Sequence, residues 1–481
     1  MKNIFIIGSG FSSISASSYL AKKGYNVTVF EKNSTIGGRA RQFKKDGFTF
    51  DIGPSWYWMP DVFESYFNDF GKKVSDYYKI DKLNPAYEIY FNTLDSVKIG
   101  DSLEKICKEF DRIEPGSGRV LKKFMRKAEK HYEIAVKDMV YKPGISPLEL
   151  VNKKTIVRLK YFLTNIKKEV EKYFKNDKLS QILQFPVLFL GAKPSNTPAF
   201  YNFMNHADFG LGTWHPKKGM YSVIEGMRKL AEEFGVSFKT NQTVEKIIVN
   251  SDSAVGVVVN GEEKFCDILV SGADYHHTES LLEENFRSYN ESYWERKTFA
   301  PSSLLFFVGL NKKIEKVSHH TLFFDVDFDL HASEIYDKPK WPSNPLFYGN
   351  FPSITDPSMA PTGKEACFFL IPIAPGISDS EKTREKYFEI IIKRLEKLTN
   401  QSIEDFILFK ESFCVNDFEK EYNSYKGNAY GLANTLKQTA FLRPKMISKK
   451  VKNLYFTGQL TVPGPGVPPS IISGKIVSDL I

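Results

Sequence analysis

Two short apolar runs near the start of the chain are separated by a glycine turn and a stretch of small residues. The first run is Ile4–Ile7 and the second is Asn26–Glu31, with the alanine- and serine-rich stretch Ser12–Lys22 between them. Short apolar runs bounded by turn residues are typical of buried strands, and a strand–helix–strand order is typical of parallel sheets. We therefore predict a βαβ unit that opens an α/β domain.

The rest of the chain alternates between helical and extended patterns. Residues 100–185 show an amphipathic helical pattern with breaks at Pro143-Gly144 and Pro147. The predicted strands further along are a hairpin over Glu245–Val259 and single runs at Cys266–Ala273, Ser303–Leu310 and Ala366–Ile373. The last segment, Asn453–Ile481, predicts a strand, a loop rich in glycine and proline, and a final helix.

The turn between the first strand and the first helix carries a dinucleotide-binding pattern. Gly8 permits a tight turn, and Gly10 lets a pyrophosphate approach the unpaired N–H groups at the helix N-terminus. Ser13 stands where the pattern has glycine or alanine, and it is small enough for close packing of helix on strand. Glu31 ends the second strand, where a carboxylate accepts hydrogen bonds from ribose hydroxyls and disfavours the 2′-phosphate of NADP.

Two later segments favour FAD over a nicotinamide cofactor. Gly37-Gly38-Arg39 follows Glu31 and supplies a cation for phosphate, and Asp51-Ile52-Gly53-Pro54 comes shortly after it. An acidic ribose residue followed by a GGR sequence is the pattern of FAD proteins with a glutathione-reductase-like dinucleotide fold. Near the end, the glycine- and proline-rich loop 463–469 leads into the last helix, whose N-terminus favours the charge that a flavin gains on reduction.

Several longer stretches resemble the bacterial phytoene desaturases, which are carotenoid desaturases of the FAD-dependent amine-oxidase-like superfamily. These stretches are GFTFDIGPS (Gly47–Ser55), WHPKKGM (Trp214–Met220), VSGAD (Val270–Asp274) with His277-Thr278, Leu304–Asn311, His319–Thr321, Thr355–Pro361, Tyr425–Gly431, Phe441–Pro444 and the C-terminal NLYFTGQLTVPGPGVPPSIISGK. The positions that depart from the family pattern are Lys218, Gln459, Leu460, Val462 and Pro465. The resemblance covers nearly the whole chain and is weakest between residues 100 and 180.

The resemblance implies an α/β fold, α+β overall, with a discontinuous Rossmann-like FAD domain and an inserted substrate-binding domain. The implied FAD domain consists of residues 1–85, 215–290 and 440–481. Residues 86–214 are the implied helical region, which serves as membrane dock and access route for the substrate, and residues 291–439 are the implied substrate-binding sheet domain. The expected FAD contacts are Gly8, Gly10, Phe11, Ser12, Ser13, Glu31, Lys32, Gly38, Arg39, Gly53, Pro54, Ser55, Val244, Asp274, Gly458, Gly466 and Val467.

The activity implied by the resemblance is stepwise dehydrogenation of phytoene towards neurosporene or lycopene, with hydride transfer to flavin N5. The alternatives left open are a desaturase of a later hydroxylated or cyclic carotene, a redox-neutral carotenoid isomerase, an amine oxidase and a prenyl-binding escort protein without redox chemistry. The proton acceptor is not identified. His215, in the WHPKKG stretch, is the candidate for a chemical role, and a structural hydrogen bond is the alternative.

Composition agrees with a folded globular protein, since 42% of the 481 residues are hydrophobic and 26% are charged. The four cysteines form no CxxC pair and the eight histidines include no HExxH motif, so neither a disulfide framework nor a metal site is predicted. No apolar run reaches the ~18 residues of a membrane span, and the start does not have the pattern of a secretory signal. The sequence therefore predicts a cytoplasmic protein.

The net charge of +9 is concentrated in one segment, Arg119–Lys178, which has 17 basic and 7 acidic residues. Its basic residues alternate with apolar ones, particularly over Val157–Phe174, as in helices that lie on an anionic membrane. The alternative is a solvated helix whose apolar face packs on its own core. Because a carotenoid partitions into lipid, we expect peripheral association with the inner face of the membrane, and oxygen or a quinone as electron acceptor. No motif accompanies the charge that would indicate nucleic acid as a partner.

Overall fold

A computed structural model describes residues 1–151, 155, 157–435 and 437–481 of the chain. The strands of these residues are β1 (Asn3–Ile7), β2 (Asn26–Phe30), β3 (Gln42–Lys45), β4 (Phe48–Asp51), β5 (Ile80–Lys82), β6 (Tyr87–Asn92), β7 (Asp95–Ile99), β8 (Trp214–Pro216), β9 (Ser237–Lys239), β10 (Val244–Asn250), β11 (Ser253–Val259), β12 (Glu262–Phe265), β13 (Ile268–Ser271), β14 (Ser302–Leu310), β15 (His320–Phe323), β16 (Phe347–Asn350), β17 (Glu365–Ile373), β18 (Ile407–Phe413) and β19 (Leu454–Phe456). The α-helices of five or more residues are α1 (Phe11–Lys22), α2 (Pro60–Asn68), α3 (Leu103–Ile113), α4 (Ser117–Ile134), α5 (Leu159–Leu163), α6 (Ile166–Glu171), α7 (Asp177–Gln184), α8 (Tyr221–Glu233), α9 (Tyr275–Ser280), α10 (Glu291–Glu295), α11 (Phe328–Tyr336), α12 (Glu381–Thr399), α13 (Val415–Tyr422) and α14 (Val467–Leu480).

The N-terminal βαβ unit belongs to a parallel sheet of five strands, in the order β19–β13–β1–β2–β9. Ile4 of β1 pairs with Ile268 of β13 on one side and with Val27 of β2 on the other. All three side chains are buried, as expected for a sheet that is covered on both faces. The predicted βαβ unit is confirmed. Because β9, β13 and β19 come from distant parts of the chain, the domain that holds this sheet is discontinuous.

The first and last helices, α1 and α14, pack against each other through small residues. A Cβ atom added at Gly474 of α14 would lie 2.5 Å from the backbone oxygen of Ser12 and from Cβ of Ser15. The Ser15 hydroxyl also donates a hydrogen bond of 2.7 Å to the carbonyl oxygen of Ile471. Only a glycine permits so close an approach, and the contact fixes the position of the C-terminal helix relative to the glycine turn before α1.

The second large sheet is mixed and has seven strands, in the order β18–β14–β17–β16–β15–β6–β7. The predicted strands at 303–310 and 366–373 are confirmed as β14 and β17, and they pair antiparallel with Phe306 opposite Phe369. The hairpin β6–β7 joins this sheet through the parallel pair β15–β6, so residues 87–99 lie with the sheet rather than with the helices that follow. The exact domain boundaries given above stay predictions.

The described residues between β7 and β8 are mainly helical, as predicted, and their apolar side chains divide into two groups. Ile166, Val170 and Phe174 are almost completely buried in the main hydrophobic core. Val157 and Leu163, in contrast, are each 76% exposed. The apolar pattern of this segment therefore serves core packing in α6 and leaves a separate set of apolar side chains on the surface. No helix within the described ranges is both long and apolar enough to cross a membrane.

Candidate active site

A cavity of about 770 Å³, here called the nucleotide cleft, lies where the parallel strands β1, β2, β13 and β19 end. Ligands of open α/β sheets bind at the carboxyl ends of the strands, so this is the expected place for a dinucleotide. The predicted FAD contacts that line the cleft are Gly8, Gly10, Phe11, Ser12, Glu31, Lys32, Gly38, Arg39, Gly53, Pro54, Val244, Asp274, Gly458, Gly466 and Val467.

The glycine turn before α1 leaves backbone donors free for a ligand. Gly8 has φ = 82°, a left-handed conformation that glycine adopts without strain. No described heavy atom lies within 4 Å of a Cβ added at Gly10, so the backbone there borders open space. Nothing in the described part of the chain accepts a hydrogen bond from the backbone N–H groups of Phe11, Ser12 and Ser13. These donors and the helix dipole suit a pyrophosphate.

The GGR segment packs directly on that turn. The N–H of Gly37 donates to the carbonyl oxygen of Ser9 at 3.0 Å, and a Cβ at Gly38 would lie 3.3 Å from Cα of Gly10. The guanidinium of Arg39 lies 5.1 Å from the centre of the Tyr422 ring. Its Nε atom is buried and has no hydrogen-bond partner among the described residues. An unpaired buried donor of a cation indicates that an anionic group belongs beside it.

Glu31 is buried at the end of β2 and organises the same turn. Its Oε2 atom accepts hydrogen bonds from the backbone N–H and the hydroxyl of Ser9, at 3.0 and 2.6 Å. Its Oε1 atom accepts from the backbone N–H and the side-chain amide of Asn33, both at 2.9 Å. The side-chain donors of Ser9 and Asn33 can rotate away, so ribose hydroxyls can take their places while the two backbone bonds hold the carboxylate.

Three further predicted contacts close the cleft. Val244 begins β10, and Asp274 caps α9 by accepting from the N–H of His276 at 3.0 Å. The other oxygen of Asp274 is buried and unpaired within the part of the chain that the structure describes. Burial raises the pKa of Asp274, and the nearby Arg39 guanidinium acts in the opposite direction. The Lys32 ammonium donates to the carbonyl oxygen of Lys420 at 2.8 Å.

At the other end of the cleft, the glycine- and proline-rich loop meets the N-terminus of α14. Gly458, which follows β19, has φ = 105°, and Gly466 has φ = 115°. Pro468 and Pro469 carry no N–H, so the backbone N–H of Val467 is the free donor at the start of this helix. This donor and the dipole of α14 point to a group that gains negative charge.

Two of the predicted FAD contacts lie outside the cleft lining. Ser13 is fully buried, and a Cβ added at Gly272 would lie 2.0 Å from its hydroxyl oxygen. Its position is therefore that of a packing residue between α1 and the loop after β13. Ser55 lines a neighbouring cavity, where its hydroxyl lies 2.9 Å from the hydroxyl of Tyr348.

The neighbouring cavity has a volume of about 510 Å³ and is here called the apolar cavity. The residues that line both it and the nucleotide cleft are Gly53, Pro54, Leu370, Tyr430, Gly466 and Val467. Aromatic and aliphatic side chains such as Trp56, Phe324 and Phe328 make up most of its wall. Leu442 lines the cavity and is 41% exposed, which marks an opening to the surface.

A short hydrogen-bond chain is the main polar feature beside the junction of the two cavities. The hydroxyl of Tyr348 lies 2.6 Å from Nδ1 of His320, and the amide nitrogen of Asn350 lies 3.2 Å from the same atom. Because that amide can only donate, Nδ1 is an acceptor and Tyr348 donates to it. The Ser55 hydroxyl then donates to Tyr348. Tyr348 pairs with Leu370 across β16 and β17, which places it next to the shared wall.

His215 lines neither cavity. Its Nε2 atom is 3.2 Å from a carboxylate oxygen of Asp356, and its side chain is buried. The same oxygen of Asp356 accepts from the backbone N–H of Lys218 at 2.7 Å. The His215 hydrogen bond and neighbouring donors hold the pKa of Asp356 well below its usual value, although burial opposes them. His215 therefore has a hydrogen-bond partner of the kind given above as the alternative, and its chemical role stays a prediction.

Several lining residues had no signal in the sequence pattern. Phe418, Tyr422 and Asn423, from α13 and its end, line the nucleotide cleft, although they lie far from every glycine motif. Tyr430 and Gln459 also line it, and both belong to stretches that resemble the desaturase family. The resemblance could have identified the last two. The first three are brought to the cleft only by the packing of α13 on the dinucleotide domain.

The residues of the cleft fit FAD on three observations. The free N–H groups at the start of α1 suit a pyrophosphate, the buried Nε atom of Arg39 has no partner among the described residues, and Glu31 suits a ribose. The cleft continues into an apolar cavity at the N-terminus of α14, the place where a flavin ring would meet a substrate.

Comparison with known proteins gives the family. The model of the flavin containing amine oxidoreductases matches residues 12–481. A carotenoid 3,4-desaturase from Haloarcula japonica is 40% identical over 484 residues, which cover 100% of this chain and 98% of that protein. A 4,4'-diapophytoene desaturase (4,4'-diaponeurosporene-forming) from Staphylococcus haemolyticus is 32% identical, with 99% of this chain and 98% of that protein covered.

Solved structures agree on the fold. An oxidoreductase from Methanosarcina mazei superposes with a TM-score of 0.64 at 15% identity, over 99% of this chain and 100% of that chain. So low an identity shows a common architecture and nothing about the substrate. The family match and the full-length relatives confirm the resemblance predicted from the sequence: the chain belongs to the flavin-containing amine oxidoreductases, among the carotenoid desaturases of that family, and it is an FAD-dependent oxidoreductase.

Proposed function

We propose that the protein removes hydrogen from two adjacent carbons of a long acyclic carotenoid and so introduces a double bond. The observation that carries this proposal is the junction of the nucleotide cleft with the apolar cavity through Gly53, Pro54, Leu370, Tyr430 and the start of α14. A polyene in the apolar cavity lies against the flavin end of the cleft. The two full-length relatives with desaturase activity support the same reaction class.

The proposed substrate is phytoene, oxidised in successive steps towards neurosporene or lycopene. A second candidate is 3,4-desaturation of a carotenoid that is already extensively conjugated. The 40% identity to a carotenoid 3,4-desaturase over 484 residues favours this second candidate, since the diapophytoene desaturase is only 32% identical over 492 residues. Both reactions require the wall of the apolar cavity, because both substrates are apolar chains that must be held against the flavin.

The chain's own residues bind and orient the two reactants. In this proposal Glu31 holds the ribose, the N-terminus of α1 and Arg39 hold the pyrophosphate, and the N-terminus of α14 faces the pyrimidine edge of the ring. FAD, when bound, supplies the acceptor for the hydride. The apolar wall excludes water from the reacting carbons, and this prevents capture of the cationic substrate by solvent.

Tyr348 is the residue that we propose takes the proton. When the hydride leaves, the C–H bond on the neighbouring carbon supplies the electron pair of the new double bond and releases a proton. The Tyr348 oxygen accepts this proton while its own passes to Nδ1 of His320. Burial raises the pKa of Tyr348 and lowers that of His320, so both are neutral before the reaction. A carbocation is acidic enough for such a weak base.

The lining of the apolar cavity argues against an amine as substrate. In the described part of its wall there is no Asp or Glu side chain to receive a cationic amine. An escort protein that carries prenyl chains has no need of a flavin, whereas this chain keeps Glu31 and Gly37-Gly38-Arg39 in position for one. Experiment can distinguish a desaturase from an isomerase, because desaturation reduces the flavin and isomerisation gives no net reduction.

Access from a membrane is part of the proposal. The apolar side chains that are exposed near the helical region and beside the cavity opening are Ile145, Leu148, Val151, Val157, Leu163 and Leu442. Gly144 lies against Phe441, so the 144–151 segment borders the opening at Leu442. This surface is proposed to dock on the inner face of the membrane, where the carotenoid is dissolved and where a quinone, or dissolved oxygen, accepts the electrons.

The deciding experiment is anaerobic incubation of the flavin-loaded protein with liposomes that contain phytoene or lycopene, with product analysis. Bleaching of the flavin together with a product that has gained a double bond supports the proposal, and the substrate that bleaches it identifies the step. Electron acceptors are then added one at a time, and the acceptor that reoxidises the flavin restores its yellow colour. Isomerised product without bleaching contradicts desaturation, and a preparation that never binds flavin favours the escort protein.

A further inference from the structure

A third cavity, about 730 Å³ in volume, opens on the surface between four segments of the chain. We call it the basic pocket. Its lining comes from residues 163–165, 168, 195–198, 293, 296–298, 435, 437 and 438. It contains four cationic side chains, Lys168, Arg296, Lys297 and Lys437, and the lining that the structure describes includes no acidic side chain.

The four cations are not neutralised elsewhere. No ion pair within the described ranges involves Lys168, Arg296, Lys297 or Lys437. Glu169, which follows Lys168 in the chain, instead binds Lys127 at 2.9 Å and Lys172 at 3.0 Å. Four like charges around one cavity repel one another, and an anion bound among them would relieve that repulsion.

Lys297 shows the imbalance most clearly. Its side chain is half-buried, with the ammonium 4.5 Å from the centre of the Tyr293 ring. Burial lowers the pKa of Lys297, and the nearby Arg443 guanidinium acts in the same direction. The Tyr293 ring compensates this partly buried cation in part, and an anionic ligand would supply the negative charge that no carboxylate provides.

The neutral groups of the pocket suit a phosphate ester. Hydroxyl and amide groups of Thr298, Thr435, Ser195 and Asn196 line it beside the cations. Gln438 forms a fixed part of the wall, because its side chain accepts from the N–H of Thr298 at 2.9 Å and donates to the carbonyl oxygen of Thr298 at 2.8 Å. An arginine fork, lysine point charges and hydroxyl donors together are typical of phosphate recognition.

The position of the basic pocket decides which phosphate it receives. Pro198 lines both the basic pocket and the apolar cavity, so the two are separated by a single side chain. Leu163, which is 76% exposed, lines the basic pocket, and its neighbour Phe162 lines the apolar cavity. A ligand that places a phosphate among the cations has its remaining part beside apolar surface.

From this geometry we infer that the basic pocket binds the headgroup of an anionic phospholipid and thereby aligns the apolar cavity with the bilayer. The lipid phosphate lies among Lys168, Arg296, Lys297 and Lys437, and its acyl chains lie on Leu163. This inference deepens the proposed function, since it rests on the membrane dock. A carotenoid that leaves the bilayer next to the bound lipid then enters the apolar cavity along Phe162 and Pro198.

The test compares two double variants that change the net charge equally. Arg296→Glu with Lys437→Glu alters the basic pocket at two exposed positions, and Lys246→Glu with Lys450→Glu alters exposed lysines outside its lining. Binding of the full flavin-loaded chain is measured by co-sedimentation with phosphatidylcholine vesicles that contain or lack phosphatidylglycerol. We expect the pocket variant to lose binding to anionic vesicles at least about tenfold, because each basic group near the surface contributes to that binding. The control variant is expected to change by less than about twofold.

Equal losses in the two double variants would overturn the inference, because general electrostatic attraction would then explain the binding. Equal binding of the wild type to neutral and anionic vesicles would also overturn the inference, but it would not contradict the proposed membrane dock. Binding of inorganic phosphate to the pocket at constant ionic strength, without any loss of vesicle binding, would assign the pocket to a free anion instead. Desaturation of detergent-solubilised carotenoid separates the two proposals: it stays unchanged in the pocket variant, whereas its absence in the wild type would contradict the proposed function.

Discussion

The hydroxyl of Tyr348 donates a hydrogen bond of 2.6 Å to Nδ1 of His320, and this pair lies beside the wall shared by the nucleotide cleft and the apolar cavity. Both groups are buried, and the side chains of Ser55 and Asn350 are their further hydrogen-bond partners. This buried donor and acceptor can serve the proton transfer that we propose, as well as the stability of the fold. The variants below separate these two roles.

We expect Tyr348→Phe to slow flavin bleaching by carotenoid about 10²–10⁴-fold, the usual contribution of a general acid or base, while FAD remains bound. Anaerobic stopped-flow absorbance measures this rate. The matched control is Tyr336→Phe, which removes a hydroxyl from the same cavity wall that has no partner among the described residues. If both variants bleach at the wild-type rate, the proton goes elsewhere.

Replacement of Glu31 tests the ribose assignment. Glu31→Ala removes charged hydrogen bonds, each of about 1.5–3 kcal/mol, and we expect FAD affinity to fall at least tenfold. Glu31→Gln keeps the shape of the side chain and shows whether the loss comes from charge or from loosening of the Ser9 turn. Flavin absorbance after gel filtration and titration with FAD measure the effect. Full flavin content in Glu31→Ala would refute the assignment.

The exposed and buried apolar residues of the helical region should respond differently to substitution. We expect Val157→Ser with Leu163→Ser to weaken vesicle binding while the free energy of unfolding stays within about 0.5 kcal/mol, as is usual for surface positions. Ile166→Ala should instead cost about 2–5 kcal/mol, because Ile166 is fully buried. Vesicle co-sedimentation and denaturant unfolding measure the two effects. Unchanged vesicle binding of the serine variant argues against a dock at this surface.

Asp208 should make stability depend on pH. Its carboxyl accepts from the Tyr87 hydroxyl at 2.7 Å, and burial raises its pKa from 3.8 to about 8. The native state therefore binds one more proton than the unfolded state between about pH 4 and pH 8, so this contribution to the free energy of unfolding is present at low pH and is lost as the pH rises. No step of the proposed reaction uses this carboxyl.

The measurement for Asp208 is the difference in the free energy of unfolding between the wild type and Asp208→Asn. We expect the free energy of unfolding of the wild type to fall relative to that of Asp208→Asn between pH 5 and pH 8, because the asparagine cannot ionise. Denaturant unfolding at several pH values gives the difference directly. A difference that does not change with pH would show that Asp208 is ionised in the folded protein.

The nucleotide cleft could largely be predicted from the sequence because its requirements are local. Gly8 and Gly10 must occur at a strand–helix turn, Glu31 must end the next strand, and an N-terminus of a helix must follow the last glycines. Each of these is a constraint on a few consecutive residues. The pattern of buried strands likewise predicted β1, β2, β14 and β17 within one or two residues.

The division of the apolar residues in the helical region could not be predicted in that way. Leu163 and Ile166 belong to the same amphipathic pattern, yet one is 76% exposed and the other fully buried. Periodicity shows that a helix has an apolar face, and only the neighbouring elements decide what covers it. The basic pocket has the same origin, since Lys168, Arg296 and Lys437 are far apart in sequence.

The sequence by itself determined the dinucleotide fold, the preference for FAD and the family. These depend on short motifs, in which the glycines permit a tight turn beside a phosphate and the charged residues bind ribose or phosphate. The tertiary structure alone decided where Ser55, Tyr348 and His320 meet, since they come from the loop after β4, from β16 and from β15. Contacts between residues so distant along the chain follow from sheet pairing and packing, which no local pattern specifies.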